Sequence, residues 1–167
     1  MKKLVAILLV VLAVPAIFLS CKKKPGDVIM LNYSIFFPPT HGQCKAGELW
    51  AKEIEDKTDG RVKINIYPGG TLVKAEDTFT GVEKGVSDIG MSCFAYTRGR
   101  FPIMEAVDLP LGYPDGKTAT KVANEFYKAM KPKALDSVKV LLIHAHGPGL
   151  LHSVKPLKTL ADLKGLK

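Results

Sequence analysis

The sequence predicts an α/β fold built on an open parallel sheet. Apolar stretches with strand character alternate with segments of helical periodicity in the order β-α-β-α-β. Strands joined through a single helix must lie parallel with right-handed crossovers, because the helix carries the chain back across the sheet before it re-enters. At 167 residues, 47% hydrophobic and 24% charged, the chain has material for one lobe with a real core and not for two large domains.

The elements follow in order. "VIMLNYSIFF", residues 28–37, is β-branched and aromatic, and Pro38-Pro39 stops it. Thr40 and Gln43 have the spacing of a capping box, and Ala46, Leu49, Trp50 and Ile54 recur on one face of a helix that Asp59-Gly60 ends. Val62, Ile64 and Ile66 alternate with Lys63 and Asn65, predicting a second strand that runs into Tyr67-Pro-Gly-Gly70. Ala75, Phe79, Val82 and Val86 mark a weaker helix, and "DIGMSCF", residues 88–94, a third strand. Residues 101–113 read as a loop with an apolar interior. Asp115 is placed to cap a helix whose face carries Val122, Ala123, Phe126, Tyr127 and Met130, and residues 138–144 read as a further strand.

In an open parallel sheet, ligands bind beyond the carboxyl ends of the strands, where loops turn into helices. Those loops are Pro38-Pro-Thr-His41, Pro68-Gly-Gly-Thr71, Ala95-Tyr-Thr-Arg98 and Ala145-His-Gly-Pro148. Free N–H groups at helix starts, and glycines such as Gly70 that admit a ligand to the main chain, suit an anion. Arg98 and Arg100 suit a carboxylate clamp or a surface pairing to Glu105 or Asp108. Tyr96 reads equally as a ligand platform and as a core ring. The chemistry suggested is binding. There is no G-x-S-x-G elbow, no G-x-x-x-x-G-K-[ST] loop and no G-x-G-x-x-G after the first strand. His144 and His146 fall on one side of a strand, which leaves a metal-dependent enzyme as an alternative, although hydrogen-bonding histidines at a strand end account for them without a metal. No cofactor is implied.

The formal charge of +8 is concentrated at the amino terminus: without Lys2, Lys3, Lys22, Lys23, Lys24 and Asp27 it falls to +4. No aromatic residues interleave with the remaining lysines, so nucleic acid is not an expected partner. Residues 1–20 read as an export signal, with two lysines, an apolar stretch from Leu4 to Leu19 and Ser20 before Cys21. The segment resembles a bacterial lipoprotein signal, which implies lipidation of Cys21, although Phe18 and Leu19 are bulkier than usual. Residues 21–27 read as a tether. In the oxidising compartment that export implies, Cys44 and Cys93 are open to two readings, a disulfide or buried small apolar residues.

The succession "LNYSIFFPPTH", "AKEIEDKTDGRVKINIYPGGTL", "GVEKGVSDIGMSCFAYTRGRFPIMEAVDLPLGYP" and "HAHGPGLLHSVKPLKTLADLKGLK" resembles the first half of a DctP-type solute-binding protein of a tripartite ATP-independent periplasmic (TRAP) transporter. The resemblance implies the type II two-lobe fold of periplasmic binding proteins, with residues 28–144 as the first lobe and 145–167 as the crossover and the start of a second lobe cut at Lys167. It further implies a periplasmic, lipid-anchored protein that captures a small organic acid for ion-gradient-driven uptake, with TRAP permease subunits as partners. Contacts carried over are Thr40, His41, Thr71, Ser92 and Tyr96, joined by Gly70, Arg98 and His146 from the loops above. Cys93 and Phe94 depart from the polar residues of some relatives, which favours an aromatic or aliphatic acid over a sugar acid. A solute-binding or sensor protein of another transport system is the alternative on the same fold.

Overall fold

The structure, a computed structural model, describes residues 26–147 and 149–166; the segment read as an export signal and Cys21 lie outside them. The chain divides into two compact units, one through Ser92 and one from Cys93 onwards.

The first unit is the expected β-α-β-α-β run. Strand β1 (Ile29–Ile35), helix α1 (Gly42–Lys57), strand β2 (Val62–Tyr67), helix α2 (Thr78–Glu83) and strand β3 (Ile89–Met91) form a three-stranded parallel sheet in the order β2-β1-β3. Register aligns Ser34 of β1 with Tyr67 of β2 and with Gly90 of β3, so all three strands end at one edge. The third strand is shorter than its apolar pattern, because from Phe94 the backbone winds into a 3-10 turn (Phe94–Thr97). Its start is tied to β1 instead: Asp88 Oδ2 accepts from Asn32 N–H at 2.7 Å, and Asp88 N–H donates to the Asn32 carbonyl at 2.9 Å.

Helix α1 buries a different face from the one its large apolar residues mark. Cys44, Gly47 and Ala51 face inward, Trp50 and Ile54 are half-buried, and Leu49 is 71% exposed. The cause is close approach: a Cβ on Gly47 would stand 2.8 Å from Ile35 Cδ1 and 3.3 Å from the Tyr33 ring, so only small residues fit between helix and sheet. Trp50 packs edge-on against Tyr33 at 6.0 Å between centroids. Burial also pushes up the Tyr33 hydroxyl and the Cys44 thiol. Both Cys44 and Cys93 are free thiols, Cys44 fully buried as a small apolar side chain. The helix stops as expected, with Asp59 and Gly60 both at positive φ.

The second unit contains a short helix α3 (Pro102–Glu105) continued by a 3-10 turn (Ala106–Asp108), where sequence reading expected a loop, and the long helix α4 (Gly116–Met130). Asp115 caps α4 as expected: its Oδ1 accepts from Thr118 N–H at 2.7 Å, and that bond holds its carboxyl below the usual range. The core comprises Phe101, Met104, Ala119, Ala123, Leu135 and Ile143, while Val122 and Met130 of the expected face are exposed.

Residues 138–144 do not form the expected strand. Their chain is held by side chains of α4 rather than by a ladder. Asn124 Nδ2 donates to the Ile143 carbonyl at 2.6 Å, and the Thr120 hydroxyl accepts from Ala145 N–H at 2.9 Å. Beyond it the only regular element among the described residues is a 3-10 turn (Leu160–Leu163), where Asp162 accepts from the N–H groups of Lys158 and Thr159. No helix of the described residues is long and apolar enough to cross a membrane.

Candidate functional site

In the first unit, the parallel register delivers the loops after β1, β2 and β3 to a single edge, and with them Thr40, His41, Gly70, Thr71 and Ser92. The loop after β2 is bound to the end of β1: Gly69 N–H donates to the Phe37 carbonyl at 2.8 Å and Gly70 N–H to the Ile35 carbonyl at 3.2 Å. Both glycines sit at positive φ, 66° and 71°, where a side chain is strained. Their N–H groups are therefore spent on β1. A Cβ on Gly70 would stand 3.6 Å from the Val73 carbonyl oxygen and 3.7 Å from Lys74 Cα. The Thr71 hydroxyl donates to the Pro68 carbonyl at 2.9 Å and the Ser92 hydroxyl to the Ala75 carbonyl at 3.2 Å, which leaves each oxygen's lone pairs for a further partner.

The entry to α1 also differs from the capping box read from Thr40 and Gln43. The capping residue is His41, whose Nδ1 accepts from Gln43 N–H at 3.2 Å. Its ring lies parallel to Phe37, with centroids 3.8 Å apart and planes within 1°. Phe37 in turn packs on Phe36 at 4.1 Å. Sequence reasoning missed this stack. The signal was there in two aromatics followed four residues later by a histidine, but Pro38-Pro39 between them hid the turn that folds the histidine back.

In the second unit, Arg98 and His146 act on one carboxylate. Desolvation and then Glu105 raise the Asp108 carboxyl, while Arg98 and His146 pull it down. Among the described residues Glu105 forms no ion pair with Arg98. Its Oε1 accepts from Gly99 N–H at 2.7 Å and Phe101 N–H at 3.4 Å, pinning the loop that carries Arg98. No carboxylate among the described residues lies within 4 Å of an Arg98 nitrogen. Tyr96, on the preceding 3-10 turn, is 48% exposed. His146 is held by a 2.6 Å contact between Nδ1 and the Gly147 carbonyl, and its loop rests on the start of α4, where a Cβ on Gly116 would stand 3.0 Å from Gly147 N. Among the described residues no group of three or more His, Cys, Asp or Glu is arranged to hold a metal ion. The two sets of residues are thus one array of hydroxyls, an imidazole and an aromatic stack, and a second array with positive charge and an exposed phenol ring.

The family model described as "Bacterial extracellular solute-binding protein, family 7" matches residues 33–167. Among curated proteins, the 2,3-diketo-L-gulonate-binding periplasmic protein YiaO of Escherichia coli (strain K12) is 31% identical over 134 residues, covering 77% of this chain and 40% of its own. A TRAP periplasmic solute binding protein from Desulfovibrio salexigens matches in structure with a TM-score of 0.74 at 37% identity, over 83% of this chain and 43% of that one. A TRAP solute binding protein from Rhodoferax ferrireducens, in complex with copurified benzoate, matches with a TM-score of 0.76 at 28% identity, over 83% and 44%. The chain spans less than half the length of these relatives.

Proposed function

Because the chain belongs to the bacterial extracellular solute-binding proteins of family 7, we propose that it is the extracytoplasmic solute-binding subunit of a TRAP transporter, capturing a small organic acid for permease subunits driven by an ion gradient. The observation that carries this reading is the convergence of three parallel strand ends on one edge lined by His41, Thr71 and Ser92. Thr40 and Gly70 belong to the same edge. Within the second unit, taken by itself, Arg98 carries a positive charge and Tyr96 an exposed ring, features that also suit a carboxylic acid.

Cys93 and Phe94, following Ser92, favour an aromatic or aliphatic acid over a hydroxylated one. The benzoate found with the Rhodoferax relative supports that choice, while the name of the E. coli relative sets a sugar acid against it. Calorimetric titration of the native full-length gene product with benzoate and with 2,3-diketo-L-gulonate decides between them. Tyr96→Ala and His41→Ala should each weaken binding of the preferred acid by about 1–3 kcal/mol, the range for losing a contact in a desolvated pocket. His41→Ala also surrenders the cap on α1, at a cost of about 1 kcal/mol in stability. Unchanged affinity together with a large fall in melting temperature would make both residues structural instead.

The same reading places the protein outside the cytoplasmic membrane and tethers it there through a lipid on Cys21. Cys21→Ala should release it from the membrane fraction, and an intact mass lacking a diacylglyceryl group would refute the tether.

A further inference from the structure

His41 is held at two points by the first unit. Its Nδ1 is occupied as acceptor of the Gln43 N–H, and its face is occupied by the parallel Phe37 ring. A neutral imidazole carries one proton, and a nitrogen that accepts a hydrogen bond does not carry it, so the cap places the proton on Nε2. The stack fixes the plane in which that N–H lies. Tautomer and ring plane are therefore both set before any ligand arrives, at the edge to which the loops after β2 and β3 bring Thr71 and Ser92. The ring itself is exposed. The cap also consumes the Gln43 N–H, one of the donors that the start of α1 would otherwise turn toward an anion.

We infer that His41 is a preset hydrogen-bond donor that reads the ligand carboxylate through Nε2–H, with Phe37 as its positioning residue. The inference rests on the carboxylate-binding reading of this edge and assigns the role of one residue within it. The neutral donor selects for an acceptor oxygen without adding a charge to the first unit. Pre-organisation of this kind lowers the ordering cost of binding.

The test uses the native full-length gene product and two variants. His41→Asn keeps a good capping residue but removes the imidazole N–H; Phe37→Leu keeps an apolar side chain but removes the stack. Calorimetry with benzoate and with 2,3-diketo-L-gulonate should give a Kd about tenfold higher for His41→Asn, with the melting temperature close to that of the parent protein. Long-range proton–nitrogen NMR of the unliganded parent should give the Nε2–H pattern for His41, and Phe37→Leu, which leaves the cap in place, should keep that pattern while raising the Kd severalfold. Unchanged affinity in His41→Asn, or an Nδ1–H pattern in the parent, overturns the inference while leaving the carboxylate-binding reading intact. A parent protein that binds neither acid overturns both.

Discussion

Gly90→Val is expected to destabilise the protein by roughly 3 kcal/mol, the upper part of the usual range for overpacking. A Cβ at position 90 would stand 2.6 Å from Thr78 Cγ2 and 2.9 Å from Val82 Cγ2, both on α2. Thr78 is fully buried and its hydroxyl donates to the Lys74 carbonyl at 2.9 Å, so turning its methyl aside would strand a polar group. Valine favours strands, so the local propensity of β3 works against the expected loss and the measurement isolates the contact. Relief of the clash must lift α2 from the sheet. That motion reaches the site, because Ser92 follows β3 and bonds to the Ala75 carbonyl in the 3-10 turn (Ala75–Asp77) leading into α2. Thermal melts should record a lower midpoint; an unchanged one would contradict the close approach of α2 to β3.

Residues 21–167 by themselves are expected to bind no organic acid measurably by calorimetry, whereas a product of the relatives' length should bind with micromolar affinity. A two-lobed site gains affinity by burying the acid between both halves, which excludes water and strengthens every charge-assisted contact. With one half alone, lost enclosure and lost donors cost several kcal/mol, enough to turn micromolar binding into millimolar or worse. Leu150 and Leu160 are 75% and 87% exposed, and Val154 is fully exposed. Apolar surface of that kind also promotes association. Micromolar binding by residues 21–167 would mean that one half suffices.

Strands β1 and β2 were legible because β-branched and aromatic residues mark them directly, and the single-helix spacing dictated their parallel pairing. The α1 face was not. Sequence periodicity weights large apolar side chains, whereas this helix meets the sheet through Cys44, Gly47 and Ala51, where volume had to be absent. Residues 138–144 carry an apolar pattern that suits a strand, yet Asn124 and Thr120 take the main-chain groups at 143 and 145, and no pattern within the segment itself reports a side chain twenty residues away. At the candidate site, topology alone brought His41, Thr71 and Ser92 to one edge. It could not foretell that His41 caps α1 or that the Gly69 and Gly70 N–H groups are spent on β1. Each of those depends on where a loop folds back, which is decided by contacts distant in sequence.

The central claim is that the strand-end site takes a carboxylate. The direct measurement is a calorimetric titration of the native full-length gene product with benzoate and with benzamide, which match in size and ring but differ in charge. The account predicts saturable binding of benzoate with benzamide at least about tenfold weaker, the loss expected when hydrogen bonds to a charged group become neutral ones. Equal affinity for the two, or binding of benzamide alone, would contradict it.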